Sequence, residues 1–260
     1  MTNQKKQYGY WDNVAGDDSV ISGRVGQCVS GFGLGILALD VAYPLIPGNV
    51  VNAYTYDFPV RVKCIKGATT ERIFRNDKTL LDEFIEAGRE LEAEGCRAIS
   101  GACGYFANYQ KELAENLDVP VFASSLLQAP WIRSSLKRNQ KIGVICAKSD
   151  SVTNVMLESV GIDDSSYLVV KGLENTAHFG PLVDGAVIEF KNSGIRQDVV
   201  QTAIELATEN NLGAILLECS DLPPYSAYIQ RAVGLPVFDY ITLHKWIQSA
   251  IMQKPYHGFI

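Results

Sequence analysis

Two cysteines occupy matched positions in a repeat that runs through the 260-residue chain. Ala98-Ile99-Ser100-Gly101-Ala102-Cys103 and Ala214-Ile215-Leu216-Leu217-Glu218-Cys219 align without gaps at an offset of 116 residues. The alignment continues through Tyr109 with Tyr225 and Pro120-Val121-Phe122 with Pro236-Val237-Phe238, so each cysteine precedes its Pro-Val-Phe by 17 residues. In both copies a short apolar run ends at the cysteine, an amphipathic stretch of roughly 12 residues follows, and a β-branched run resumes after the proline, the grammar of a βαβ unit. A thiol at the carboxyl end of a strand, just before a helix, faces the place where open α/β sheets bind ligands. The helix dipole and the free N–H groups of residues 104–107 and 220–222 then favour a thiolate and bind a carboxylate or similar anion. One such thiol per copy, aimed into a shared cleft, suits racemisation: a carbon-bound proton is removed from one face and returned on the other by two acid–base groups in opposite protonation states. The competing reading, a packing cysteine copied by duplication, asks for no chemistry.

The elements that must hold these thiols are legible on either side. Leu80, Leu81, Phe84, Ile85, Ala87, Gly88 and Leu91 form a helix-spaced apolar set before the first copy, and Val199, Val200, Ala203, Ile204 and Ala207 do so before the second. Further upstream, Leu34-Gly35-Ile36-Leu37-Ala38 resembles Ile142-Gly143-Val144-Ile145-Cys146, so both halves open on a glycine-containing apolar strand. Alternating strands and helices predict an α/β fold of two pseudo-symmetric lobes, each a mostly parallel sheet flanked by helices. Residues 1–33, rich in Gly, Tyr and Asp with little periodicity, read as an N-terminal extension. Residues 34–133 form the first lobe and 134–241 the second, divided at the basic stretch 134–141. A C-terminal strand-helix is free to return to the first lobe, so 242–260 is expected to pack on it.

These residues also carry a family resemblance. Ser100-Gly101-Ala102-Cys103-Gly104-Tyr105-Phe106, the stretch Val121-Phe122-Ala123-Ser124-Ser125-Leu126-Leu127-Gln128, and Leu217-Glu218-Cys219-Ser220-Asp221-Leu222-Pro223-Pro224-Tyr225 resemble the aspartate/glutamate/hydantoin racemase superfamily over roughly residues 34–245. The resemblance implies a cofactor-independent enzyme with one catalytic cysteine from each lobe, Cys103 and Cys219, acting on a small amino acid or amino-acid derivative. It also implies that Asp40, after the opening strand, helps activate the first cysteine, as an acidic residue does in glutamate racemases. Where glutamate and aspartate racemases follow their cysteines with Asn-Thr and Thr-His or Thr-Glu, this chain has Gly104-Tyr105 and Ser220-Asp221, so those substrate contacts do not carry over directly. Arylmalonate decarboxylases and maleate isomerases share the superfamily, which keeps decarboxylation and cis–trans isomerisation open beside racemisation. A two-lobed binding protein without turnover is the non-enzymatic alternative. Dimers are common among members, making a homo-oligomer the expected partner state.

Composition and the remaining residues narrow the choices. A net charge of -6 offers no basic face to nucleic acid, and no stretch has the roughly 18 uninterrupted apolar residues of a membrane helix. The first residues lack a continuous apolar signal core, which makes the cytoplasm the expected compartment. Cys28, Cys64, Cys96 and Cys146 have no Cys or His at metal-ligand spacing, no two histidines lie within four residues, and Gly31-Phe32-Gly33-Leu34-Gly35 precedes its strand instead of following it; no metal and no nucleotide cofactor is expected. Cys64 and Cys146 sit in strand-like runs as small hydrophobes. The expected substrate is a small carboxylate, contacted by Gly104, Tyr105, Ser124, Ser125, Ser149, Thr153, Ser220 and Asp221 in the cleft. Ser149 and Ser151 also suit a helix N-cap, Asp221 suits the first turn of a helix, and His178 is the one histidine with a candidate cleft position.

Overall fold

The computed structural model describes residues 27–183 and 187–260. Residues 1–26, most of the expected N-terminal extension, lie outside the described part. The chain builds two all-parallel sheets. One contains β1 (Leu34–Ala38), β2 (Val60–Cys64), β3 (Ala98–Gly101) and β4 (Val121–Phe122), in the order β2-β1-β3-β4. The other contains β5 (Lys141–Cys146), β6 (Leu168–Gly172), β7 (Leu212–Leu217) and β8 (Val237–Phe238), in the order β6-β5-β7-β8. The repeat in sequence is therefore a repeat in topology: a two-lobed α/β fold. The central strands β1, β3 and β7 are buried at every residue, because parallel strands covered by helices on both faces carry continuous apolar runs instead of alternation.

The helices form where apolar residues recur at helical spacing. In the helix Leu81–Ala93, Phe84, Gly88 and Leu91 are buried on one face, and the face opposite is acidic and solvated. Phe84 stacks on Tyr109 at 4.5 Å between ring centroids and meets Phe106 edge-on at 4.7 Å, so this helix braces the turn that follows Cys103. Truncating Phe84 to alanine costs about 3–5 kcal/mol and loosens that turn. The C-terminal helix Tyr240–Ile251 begins in a capping box: the Asp239 carboxylate accepts the Thr242 N–H at 2.8 Å while the Thr242 hydroxyl accepts the Asp239 N–H at 2.9 Å. It packs through Tyr240, Leu243 and Ile247 against Leu34, Ile36 and Ala98 of the first sheet. His244 on this helix is fully buried between the Ser100 and Tyr56 hydroxyls at 2.8 and 2.9 Å, and burial pulls its pKa down to about 3. Cys146 and Cys96 are buried packing thiols. Cys64 departs from the sequence reading: β2 is an edge strand, and its last residue is exposed. No helix among the described residues is long and apolar enough to cross a membrane.

Candidate active site

Both repeat cysteines sit two residues beyond the ends of equivalent strands. Cys103 follows β3 in extended conformation and opens the 3-10 turn Gly104–Tyr109; Cys219 follows β7. They are 8% and 7% exposed, and Cys219 lies within the electrostatic reach of Cys103. The lobes thus meet at the two thiols.

The interface is stapled by hydroxyls that the sequence suggests as substrate donors. Ser220 Oγ donates to Ala102 O at 2.8 Å, and Ser125 Oγ donates to Leu217 O at 2.9 Å. Tyr105 OH donates to Lys148 O at 2.8 Å and accepts the Lys148 N–H at 2.7 Å. Each bond joins the end of a strand in one lobe to the other lobe. Ser124 is also buried, and its Oγ accepts the Leu126 N–H at 3.2 Å. The bonds of all four hydroxyls hold the lobes or the local turn.

Other expected site residues lie elsewhere. Asp40 is exposed after β1, where its carboxylate accepts the Gly67 N–H at 2.9 Å; the structure does not bring it to Cys103. Thr153 is exposed and caps the helix Asn154–Ser159 through the Met156 N–H, the place the sequence reading gave to Ser149 or Ser151. Ser149 Oγ donates to Glu174 at 2.5 Å and lines a cavity of about 480 Å³ beside Glu174, Asp198 and Glu205, none of which borders the cysteines. His178 pairs with Asp198 at 3.0 Å on the surface. Neither Cys103 nor Cys219 lines that cavity. No cluster of potential metal ligands occurs among the described residues.

The electrostatics invert one expectation. Burial pushes both thiols well above the ordinary cysteine range, with Glu218 adding most after burial at Cys103 and Asp221 at Cys219. The N–H groups of Tyr105 and Phe106 pull Cys103 down, and that of Asp221 does so at Cys219, as a helix start should. Enclosure outweighs them, because a six-residue 3-10 turn offers little dipole against complete desolvation. The resting thiols are therefore protonated, and forming a thiolate requires help from the ligand or a neighbour.

Three residues that sequence reasoning left out complete the site. Tyr43 and Asn49, on the loop between β1 and β2, hold Asp221 from the opposite lobe: Tyr43 OH donates to Oδ2 at 2.9 Å and Asn49 Nδ2 to Oδ1. Cys219 Sγ lies 3.7 Å from Oδ2. Burial raises the Asp221 pKa while these donors oppose the rise. Asp221 also forms the polar end of a narrow recess lined by Tyr43, Phe179, Phe190 and Tyr225, which in this conformation has about 20 Å³ of room, enough for one water. The third residue is Glu218, whose side chain is fully buried across the lobe interface against Gly104. A charged residue ending an otherwise apolar strand was its only sequence signal.

No protein-family model matches the chain. Among curated proteins, dimethylsulfoniopropionate lyase 7 of Emiliania huxleyi (strain CCMP1516) is 28% identical over 236 residues, 86% of this chain and 69% of its own length. Dimethylsulfoniopropionate lyase of Durusdinium sp. clade D is 28% identical over 234 residues, 86% and 77% respectively. The chain spans 61 to 69% of the length of the first curated relatives it matches. Among solved structures, unliganded arylmalonate decarboxylase superposes with a TM-score of 0.56 at 14% identity, covering 86% of this chain and 93% of its own. Allantoin racemase from Klebsiella pneumoniae gives 0.57 at 13% identity, covering 84% and 87%. Glutamate racemase isoform RacE1 from Bacillus anthracis gives 0.53 at 16%, covering 85% and 84%. The chain has the fold of the aspartate/glutamate/hydantoin racemase superfamily.

Proposed function

We propose that the chain is an enzyme that removes the proton beside the carboxylate of a small zwitterion, and that it completes the reaction by β-elimination, as a carbon–sulfur lyase acting on dimethylsulfoniopropionate or a close analogue. The observation that carries the acid–base step is the pair of buried thiols, one per lobe, with Asp221 held beside one of them by donors from the opposite lobe. The curated relatives, all named as dimethylsulfoniopropionate lyases, support elimination as the outcome.

The chemistry fits the site's charge. A sulfonium has no N–H to donate, so it is held by a carboxylate and by ring faces, and the recess supplies Asp221 with Tyr43, Phe179, Phe190 and Tyr225. Its positive charge also supplies what the thiols lack at rest, because a cation a few ångströms from a buried thiol favours the thiolate. Cys103 is the better base. Its carboxyl neighbour Glu218 is protonated near neutral pH, and two N–H groups favour its thiolate, whereas Cys219 sits against Asp221. The Cys103 thiolate takes the α-proton, the C–H electrons form the α,β double bond, and the C–S bond electrons leave with neutral dimethyl sulfide. Acrylate remains, and the proton on Cys103 passes to solvent before the next turnover. Cys219, neutral, donates to the charge that builds on the carboxylate.

A second reading, racemisation or epimerisation of a small amino acid or derivative by the same two thiols, is favoured by their equivalent positions in the repeat. One experiment separates the two. The purified chain is given dimethylsulfoniopropionate, with dimethyl sulfide measured in the headspace and acrylate in solution, and in parallel single enantiomers of amino acids in deuterium oxide. Equimolar dimethyl sulfide and acrylate, lost in Cys103→Ser, support the lyase. No dimethyl sulfide together with deuterium at an amino-acid α-carbon replaces it with the racemase.

A further inference from the structure

Glu218 is anomalous for a buried carboxyl group. Its side chain is 0% exposed, and neither carboxyl oxygen has a hydrogen-bond partner among the described residues. Buried polar groups are nearly always paired, and an unpaired carboxylate would be expensive, so each exception calls for a reason. Its placement supplies one. The backbone belongs to the second lobe, where Glu218 N donates to Ile145 O at 2.9 Å, but the carboxyl crosses the interface and rests on Gly104, the residue after the first cysteine. A β-carbon at position 104 would collide with it. The absence of a side chain there is what admits the acid.

The groups facing Glu218 come from each element packed around it: Cys103 and Tyr105 from the turn after β3, Cys146 from the end of β5, Cys219 from the end of β7, and Tyr240 from the C-terminal helix. All of these are acids, and Glu218 raises every one of them when it is ionised. With the enclosure that tight, one negative charge is tolerated and a second is strongly opposed. Burial pushes the Glu218 carboxyl up to about 8 and the thiols well above their ordinary range, so without a ligand the carboxyl ionises first, and a ligand cation beside Cys103 is what lets the thiolate form while Glu218 keeps its proton.

We propose that Glu218 is a positioning residue for the thiol pair: a neutral carboxylic acid that gives its O–H to the Cys103 thiolate when the base forms, and whose own ionisation switches that base off. In the working state the thiolate is the anion among these facing groups, and Glu218 is its hydrogen-bond donor. Once Glu218 is a carboxylate, the single permitted charge has been used on the wrong atom. No proton is transferred in net terms, and the device serves elimination and racemisation equally, since both begin with the thiolate.

Thiolate formation can be read without a substrate. The full chain and Glu218→Gln are treated with iodoacetamide across a pH series, and the alkylation rate of the Cys103 peptide is followed by mass spectrometry, with Cys28 as an exposed internal reference. Glutamine keeps a donor and cannot ionise, so the two proteins should match near neutral pH and Glu218→Gln should react about tenfold faster above pH 8, the size of one suppressed like-charge interaction. Superimposable profiles, or a ratio that does not change with pH, overturn the proposal. Glu218→Leu, which removes the donor as well, should be slower than Glu218→Gln at every pH, and equality of the two also counts against it. If the variants do not fold, infrared spectra of the wild-type chain decide: a protonated carboxyl band persisting at neutral pH and vanishing above pH 8 supports the proposal, and its absence at neutral pH overturns it. These outcomes do not depend on dimethylsulfoniopropionate being the substrate.

Discussion

Replacing Glu218 by glutamine should change how stability depends on pH, with a sign and size set by its burial. An ordinary glutamate titrates at 4.5, and enclosure moves Glu218 up to about 8. Between those values the unfolded chain has released the proton that the folded chain still holds. Stability is therefore fully present below pH 4.5 and is lost as pH rises toward 8. At about 1.4 kcal/mol per pH unit, the wild-type chain forfeits about 3 kcal/mol by pH 7 and about 5 kcal/mol by pH 9. Glutamine does not titrate and forfeits none of this. The stability difference, Glu218→Gln minus wild type, should accordingly grow by about 5 kcal/mol from acid to alkaline pH. Guanidinium unfolding under reducing conditions at a series of pH values measures it. His244, held neutral and buried, makes both proteins lose stability as pH falls below 6.5, so it cancels in the difference. A difference that stays constant from acid to alkaline pH would refute the reasoning, because Glu218 would then be ordinarily ionised in the folded chain.

Four further outcomes follow from the same geometry. Gly104→Ala should lose about 1–3 kcal/mol of stability and most activity, as measured by denaturation and dimethyl sulfide release, because the added methyl displaces the Glu218 carboxyl. Cys103→Ser should lower turnover by about 10²–10⁴-fold, while Cys219→Ser, which keeps a donor, should lower it less; steady-state kinetics separates the two roles. Asp221→Asn should raise KM for a sulfonium substrate more than it lowers kcat, and a matched drop in kcat would point to a role in proton transfer instead. Asp40→Ala and His178→Ala should leave Cys103 alkylation and turnover unchanged, since neither side chain reaches the thiols.

Much of the fold was legible because duplication wrote it twice. The matched runs ending at Cys103 and Cys219 became β3 and β7, and Gly35 and Gly143 mark the equivalent strands β1 and β5. Both thiols were recoverable from the same alignment. Their surroundings were not, because those depend on loops with no counterpart across the repeat. Tyr43 and Asn49 reach Asp221 from more than 170 residues away, along a segment with no helical or strand period. Asp40 was expected to act on the first cysteine by resemblance alone, and the chain turns so that its carboxylate accepts the Gly67 N–H instead. Ser125, Ser220 and Tyr105 have the residue types of substrate donors, and sequence cannot tell a hydroxyl facing a ligand from one stapling two lobes. Glu218 escaped for a related reason. Its neighbour Cys219 drew the chemical reading, while the glycine that receives its carboxyl lies in the other lobe. The helix-start argument failed on magnitude: it names the right N–H groups on Cys103, but burial is the larger effect.

The most direct test of the acid–base assignment is the rate of dimethyl sulfide release from dimethylsulfoniopropionate carrying deuterium or hydrogen at the carbon beside the carboxylate, compared in the wild-type chain and Cys103→Ser. If the Cys103 thiolate removes that proton as the C–S bond breaks, the deuterated substrate is slower in the wild-type chain and Cys103→Ser releases almost nothing from either. Equal rates from the two substrates, with Cys103→Ser as active as the wild-type chain, would contradict it.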